Sequence, residues 1–450
     1  MDDTAGRVFD ISRLAGNLAE RGVRPDPCRN SRILSKPHGL YYRGYAGRND
    51  GSYGIHPVSH GSGRMVFLTN PSAGIYIHIP FCAKKCLYCD FYSITDMSQQ
   101  KAFLEALFRE IAATKSILTF DSLYIGGGTP SILPAHQIGQ IIDRIYGRFN
   151  LDTLAEITLE VNPGTVTLES LKAYRKSGVT RLNIGVQSFQ ESHLRWLGRI
   201  HSVDDAKDAI LWARAAGFDQ IGMDMIYGIP GQSRQAWLAG LSQAISFDPE
   251  HISCYMLTCE PDTQLDHMRL NQVFEAMADG DVCDLFETTV TELSEHGYPL
   301  YEISNFARKD NSPDANRSRH NQKYWTDAPY LGFGPAAHSY INPVRYSNHR
   351  DIAAYVANLN SGMLSVVEKE TLSIEQQLME TVFLGLRTIE GISIRRFEEK
   401  SAKPFSIFFQ DILTDPELKK LITQTPEYCS LTFQGMMVLD SIAGIFVDRI

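Results

Sequence analysis

Between Gly74 and Leu257 the chain alternates short apolar runs with longer amphipathic ones, six times over. The runs GIYIHIP, SLYIGGG, EITLEVNPG, RLNIGVQSF, QIGMDMIYGIPG and HISCYML read as strands bounded by glycines, prolines and polar turns. Stretches of about 10–15 residues with helical spacing separate them. Near residues 98–117, Phe103, Leu104, Leu107, Phe108 and Ile111 share one helix face, and Ile138, Ile141, Ile142 and Ile145 mark the next helix. A strand that must return parallel to its predecessor needs a crossover, and a helix is the usual one. Six such units predict a full or partial βα barrel, with a doubly wound open sheet as the alternative.

The strand ends add a second constraint. Glu160, Gln187 and Asp224 fall at the C-terminal ends of successive strands, the face on which βα barrels build their sites. One polar residue there only caps a turn; a series of them points to a site.

The flanks read differently. Residues 1–70 include KPHGLYYRGYAGRNDGSYGIHPVSHGSG, which has no period of 2 or 3.6 and reads as an irregular, disordered extension. Both Met1 and Met65 stand as starts for the native product. Residues 71–350 form the barrel and its extension, with a helix over 272–297, a strand in YPLYEISNFA, a loop at HNQKYW and a Gly-rich turn at GFGPAAHSY. Residues 351–450 form a smaller, mainly helical domain that ends in a strand, a turn and a helix. The net charge of −9 argues against a general nucleic-acid binder, whose affinity comes from Lys and Arg on phosphates. The sequence has no apolar run of 18 residues and no secretory signal at its N-terminus, so a cytoplasmic location without a membrane span is expected, with peripheral membrane contact left open.

In such a compartment clustered cysteines hold metals or do chemistry. Five of the eight, Cys28, Cys254, Cys259, Cys283 and Cys429, are scattered. The other three, Cys82, Cys86 and Cys89, sit together in FCAKKCLYCDFY, directly after the first strand, spaced C-x3-C-x2-C. Structural zinc wants four ligands, and neither Asp90 nor His78 is an obvious fourth. An iron–sulfur cubane held by three cysteines leaves one iron open to an outside ligand. Phe81, Tyr88 and Phe91 would shield such a cluster from water.

These residues resemble the radical S-adenosylmethionine (SAM) superfamily, and most closely its coproporphyrinogen dehydrogenase-like branch. The resemblance rests on YIHIPFCAKKCLYCDFY, YIGGGTPS, EVNPGT, RLNIGVQSF and DMIYGIPGQ, in order and spacing, and covers about residues 74–450. It implies a partial (β/α)6 TIM-like barrel with a winged-helix-like C-terminal domain. It also implies a [4Fe–4S] cluster on Cys82, Cys86 and Cys89, and SAM chelating the open iron to be cleaved by one electron from the cluster, which an electron-donor partner reduces. The SAM positions would be Tyr76, Gly127, Gly128, Thr129, Glu160, Gln187, Arg199 and Asp224, with Tyr88 beside them. Glycines admit a ligand close to the backbone, carboxylates accept from ammonium or ribose hydroxyls, and an arginine pairs a carboxylate.

Within the branch two classes compete: an oxygen-independent coproporphyrinogen III dehydrogenase, and a haem chaperone that binds haem and passes it to acceptor proteins. In the dehydrogenases a further cysteine follows the third as C-x-C, whereas Asp90 and Phe91 follow Cys89 here. HNQKYW, His320 to Trp325, matches the HNxxYW pattern that the chaperone group carries and connects with haem. Imidazole is a common haem ligand, which makes His320 the haem candidate, with His338 a weaker one. The N-terminal stretch does not have the composition of the ordered lid the dehydrogenases use. Arg395, Arg396, Lys419 and Lys420 give the C-terminal domain some positive charge. A solvated face, or a lid or acceptor contact, accounts for them better than nucleic acid does.

Overall fold

The computed structural model describes residues 72–450. The N-terminal extension, with Cys28 and Met65, lies outside the described residues. Six strands follow the six apolar runs: β1 Ala73–Ile79, β2 Thr119–Gly127, β3 Asn150–Val161, β4 Arg181–Gln187, β5 Ile221–Tyr227 and β6 His251–Met256. Each pairs parallel with the next. The crossovers run through α1 Gln100–Ala113, α2 Ala135–Arg148, α3 Leu168–Lys176, α4 Glu191–Leu197, α5 Val203–Ala215 and α6 Arg234–Ser246. The partial (β/α)6 barrel is therefore present.

The strands keep a strict two-residue alternation. Ile75, Ile77, Ile79, Leu123, Ile125, Leu159, Leu182, Ile184, Met223 and Ile252 are fully buried in the layer between sheet and helices. Full burial of each such side chain contributes about 2–3 kcal/mol. On the other face stand Tyr76, Tyr124, Glu160, Asn183, Gln187 and Asp224, which line a cavity instead. The barrel thus has an apolar outer layer and a polar lumen.

Past residue 260 the sheet continues further than the sequence pattern suggests. β7 Leu300–Glu302 and β8 Asn305–Ala307 extend it antiparallel beyond β6. At the other edge β9 Tyr330–Phe333 pairs parallel with β1, followed by β10 His338–Ile341, β11 Val344–Asn348 and β12 Val366–Thr371. The resulting order is 12-11-10-9-1-2-3-4-5-6-8-7. The Gly-rich segment GFGPAAHSY is thus the end of one strand, a turn and the start of another. β12, which lies past residue 351, still belongs to the large sheet, and the chain leaves that sheet at Thr371. Two further helices, Gln264–Leu270 and Asp279–Glu295, precede β7.

HNQKYW, expected as a loop, lies in a short helix, Arg319–Trp325. Ser318 caps it by accepting the Asn321 N–H, the role a serine plays at a helix start. Seven residues are too few to show a helical period.

After Thr371 the chain forms the helix Ile374–Leu386, further helices and a small antiparallel sheet of three strands. Phe397, Phe405, Phe409 and Phe446 make its aromatic centre. Its basic residues have nearby partners: Arg395 pairs with Glu399 and Lys420 with Glu417. No helix among the described residues is long and apolar enough to cross a membrane.

Candidate functional site

The cysteine loop leaves the C-terminal end of β1 and is closed at its neck. Cys82 N–H donates to Ile94 O at 2.9 Å, and Ile94 N–H donates to Pro80 O at 2.7 Å. Its far end is tied to other barrel loops: Leu87 accepts from Leu265 N–H and donates to Leu197 O. Arg350 holds it from the opposite edge of the sheet, donating to Asp90 O at 2.6 Å. Among the described residues no three His, Cys, Asp or Glu side chains converge on a single metal ion. A cubane takes one thiolate at each of three irons.

The thiols have donors beside them. Thr129 Oγ1 donates to Cys82 Sγ at 3.4 Å, and Arg199 directs a guanidinium N–H at Cys86 Sγ, 3.5 Å away. Burial raises Cys82, against the lowering effect of the Thr129 hydrogen bond, and pushes Cys89 up to about 11. The glycines after β2 are required by space. A Cβ on Gly128 would stand 2.6 Å from Phe81 O and 3.0 Å from Cys82 Sγ. Gly127 has φ +113°, a conformation that side chains avoid.

Two carboxylates stand deeper. Glu160 accepts Tyr124 O–H at 2.8 Å on one oxygen and Gly127 N–H at 3.1 Å on the other. Asp224 accepts the Asn183 amide at 2.8 Å. Burial raises both, Glu160 to about 7 and Asp224 to about 6. Gln187 adopts φ +65° at the end of β4, a left-handed conformation costing of order 1–2 kcal/mol for such a residue. Arg199 donates to Gly185 O at 2.8 Å, and its Nε is buried with no partner.

Cys82, Cys86, Cys89, Tyr76, Tyr88, Gly127, Gly128, Thr129, Glu160, Gln187, Arg199 and Asp224 all line one open-mouthed cavity of about 240 Å³. Tyr76 reaches His78 Nδ1 at 3.1 Å, and His78 Nε2 donates to Tyr92 O at 2.8 Å. Burial keeps that imidazole neutral, lowering it to about 4. The donor set fits a [4Fe–4S] cluster and SAM: three thiols, an unpaired guanidinium N–H, two half-buried carboxylates and a glycine cradle.

His320 is the exception. It is fully buried and does not line the cavity. Its Nδ1 shares a hydrogen bond with Ser122 Oγ at 3.0 Å and its Nε2 one with Tyr324 O–H at 2.9 Å. A neutral imidazole with both nitrogens engaged has no lone pair left for iron, so this placement does not suit an axial haem ligand. His338 stands in β10 opposite Ser347, also away from the cavity. Sequence reasoning missed Tyr124, Asn183 and Asn321, which do line it. The polar alternation Arg181, Asn183, Gly185, Gln187 within RLNIGVQ is the signal that marks Asn183.

The barrel, the three-thiol loop and the polar cavity define a radical SAM protein. The Radical SAM superfamily profile matches residues 76–239, and the HemN C-terminal domain profile matches residues 372–438. The Heme chaperone HemW of Bacillus subtilis is 32% identical over 380 residues, 83% of this chain and 99% of that protein. The Heme chaperone HemW of Lactococcus lactis is 30% identical over 83% of this chain and 96% of its own length. The mitochondrial radical S-adenosyl methionine domain-containing protein 1 of Danio rerio is 32% identical over 72% of this chain and 75% of its own. Among solved structures, the coproporphyrinogen III oxidase HemN of Escherichia coli shares the fold, with a TM-score of 0.74 and 23% identity over 85% of this chain and 91% of that one. The chain belongs to the HemW family within the radical SAM superfamily. The superfamily's cofactors are SAM and a [4Fe–4S] cluster.

Proposed function

We propose that this protein is a haem chaperone, binding haem and handing it to acceptor proteins in the cytoplasm. The observation that carries this reading is the near-complete alignment with Heme chaperone HemW of Bacillus subtilis, 99% of whose length is covered. The C-D-F sequence at Cys89 supports it, since the dehydrogenases of the branch place another cysteine there. The acceptor is a haem-binding protein, and an electron donor serves the cluster.

In this reading Cys82, Cys86 and Cys89 hold the cluster, which when reduced supplies one electron to SAM. Thr129 and Arg199 donate to cluster sulfurs, and Arg199 offers its free N–H to the SAM carboxylate. Glu160 and Asp224 accept from its ammonium or ribose hydroxyls, and Gly127 and Gly128 let it lie against the backbone. Tyr76, Tyr88 and Gln187 complete the wall.

The test is haem transfer. Anaerobically reconstituted protein is titrated with hemin and then mixed with an apo-haemoprotein such as apomyoglobin, following the Soret band of each. Stoichiometric binding and transfer faster than release into buffer are expected. Failure to bind hemin, together with catalytic conversion of coproporphyrinogen III to protoporphyrinogen, would overturn the reading in favour of a dehydrogenase.

A further inference from the structure

The helix Arg319–Trp325 packs beside β1, β2 and β3, and one of its residues, Asn321, lines the cavity just described. His320 fills the space beside β1 and β2. A Cβ on Gly74 would stand 2.9 Å from its ring, and Ser122 of β2 meets its Nδ1. Its backbone N–H donates to Glu156 of β3 at 3.1 Å. Lys323 pairs with Asp121 at 2.6 Å, and Tyr324 meets Tyr330 of β9 edge-on at 4.8 Å between centroids. One short helix is thus fastened to four neighbouring strands or their ends.

The same helix reaches the site. The His320 ring lies 5.3 Å from the Tyr124 ring and 6.5 Å from that of Tyr76. Tyr76 and Tyr124 are stacked at 6.2 Å. The Tyr124 hydroxyl donates to Glu160, whose second oxygen takes the Gly127 N–H of the glycine cradle. The next residue, Asn321, lines the cavity together with Asn183, Asp224 and Tyr255. Of the four fixed letters of HNxxYW, Asn321 lines the cavity, His320 and Tyr324 are hydrogen-bonded to each other behind it, and Trp325 lies under the Arg387 guanidinium at 4.4 Å.

We infer that the HNxxYW segment serves the SAM cavity: His320 is a positioning residue that sets Tyr124, and through it Glu160, while Asn321 presents its amide to the bound ligand. With both ring nitrogens engaged, His320 is not left free to ligate haem. A plain filler role explains the burial of His320 but not the direct line His320–Tyr124–Glu160 or the exposure of Asn321 to the cavity. The inference rests on reading this cavity as the SAM site, and it stands whether or not the chain carries haem.

The experiment uses the full chain with its cluster reconstituted anaerobically, in wild type and in His320→Ala, Tyr124→Phe, Asn321→Ala and Glu160→Gln. Three quantities are read: the SAM Kd by equilibrium dialysis, the change SAM induces in the EPR spectrum of the reduced cluster, and the hemin Kd from absorbance. Tyr124→Phe is expected to weaken SAM about tenfold, the loss of one hydrogen bond to a charged group, and His320→Ala by at most as much, since it acts only through the Tyr124 ring. Hemin Kd should stay within about twofold. In a Glu160→Gln background the His320→Ala effect should disappear, a coupling that a general loss of packing would not produce. Asn321→Ala should weaken SAM without changing the iron content. Should His320→Ala not fold, Tyr124→Phe removes only a hydroxyl and decides the matter. An unchanged SAM Kd in these variants overturns the inference, as does a loss of hemin binding by His320→Ala with SAM binding intact. Wild type that binds SAM but no hemin sinks the chaperone reading alone. Wild type that binds no SAM sinks this one.

Discussion

Arg199 and Cys86 are 113 residues apart in sequence, yet a guanidinium N–H of Arg199 lies 3.5 Å from Cys86 Sγ. The same side chain is held by the carbonyl of Gly185, so its direction is fixed by β4. A positive donor on a cluster thiolate favours the reduced, more negative state. Arg199→Met is expected to lower the cluster potential by roughly 50 mV, the equivalent of about 1 kcal/mol. A redox titration followed by EPR, without SAM, measures this.

The three cysteines of the loop are not interchangeable with the other thiols. Cys82→Ala, Cys86→Ala and Cys89→Ala should each abolish the iron content and brown absorbance of reconstituted protein. Cys259→Ala and Cys283→Ala should retain both. Iron and sulfide analysis after anaerobic reconstitution separates the outcomes.

The half-buried carboxyls make the cluster-free protein pH-sensitive. Glu160 and Asp224 are raised to about 7 and about 6, so the folded chain binds these protons more tightly than the unfolded one. Their contribution to stability is whole below about pH 4 and is lost as pH rises through the folded values. Tm should fall between about pH 4 and about pH 7, and less steeply in Glu160→Gln. A Tm that falls equally in both proteins would contradict this.

The smaller helical part is fastened to the barrel by a buried ion pair. Arg387 Nε donates to Glu302 at 2.8 Å, with side chains 4% and 0% exposed, and Trp325 lies beneath the guanidinium. Arg387→Met strands Glu302 in the interior and should cost about 3–5 kcal/mol. Urea denaturation of the two proteins gives the difference directly.

Gly74 and His320 occupy one space. Gly74→Ala should destabilise by about 1–3 kcal/mol through overpacking. In a His320→Ala background the same change should cost much less, so the double-mutant cycle is strongly non-additive.

The sequence carried the six βα units well, because Ile75, Ile77, Ile79 and their counterparts repeat at the strand period and the helices at theirs. Among the cavity residues the three cysteines, the glycine run, Glu160, Gln187 and Asp224 were legible from the residues themselves, whereas Tyr76, Thr129 and Arg199 came only from the family resemblance. The flanking strands were not. β7 and β8 have three residues each and β9 four, too short for any alternation to register. Nor could the place of His320 be read: its neighbours Gly74, Ser122 and Tyr124 lie some 200 residues earlier and meet it only through the fold.

The pairing of β9 with β1 has a consequence for the order in which the protein is made. Gly74 lies opposite Tyr330, and Arg350 braces Asp90. The thiol loop therefore leaves the ribosome about 250 residues before the segments that support it. At roughly 5–20 residues per second that gap is on the order of 10–50 s. Through that interval the strand that launches the loop has a bare edge and the three thiols stand open to oxidation. If that support matters for the thiols, a nascent chain arrested before Tyr330 takes up less iron than the full chain.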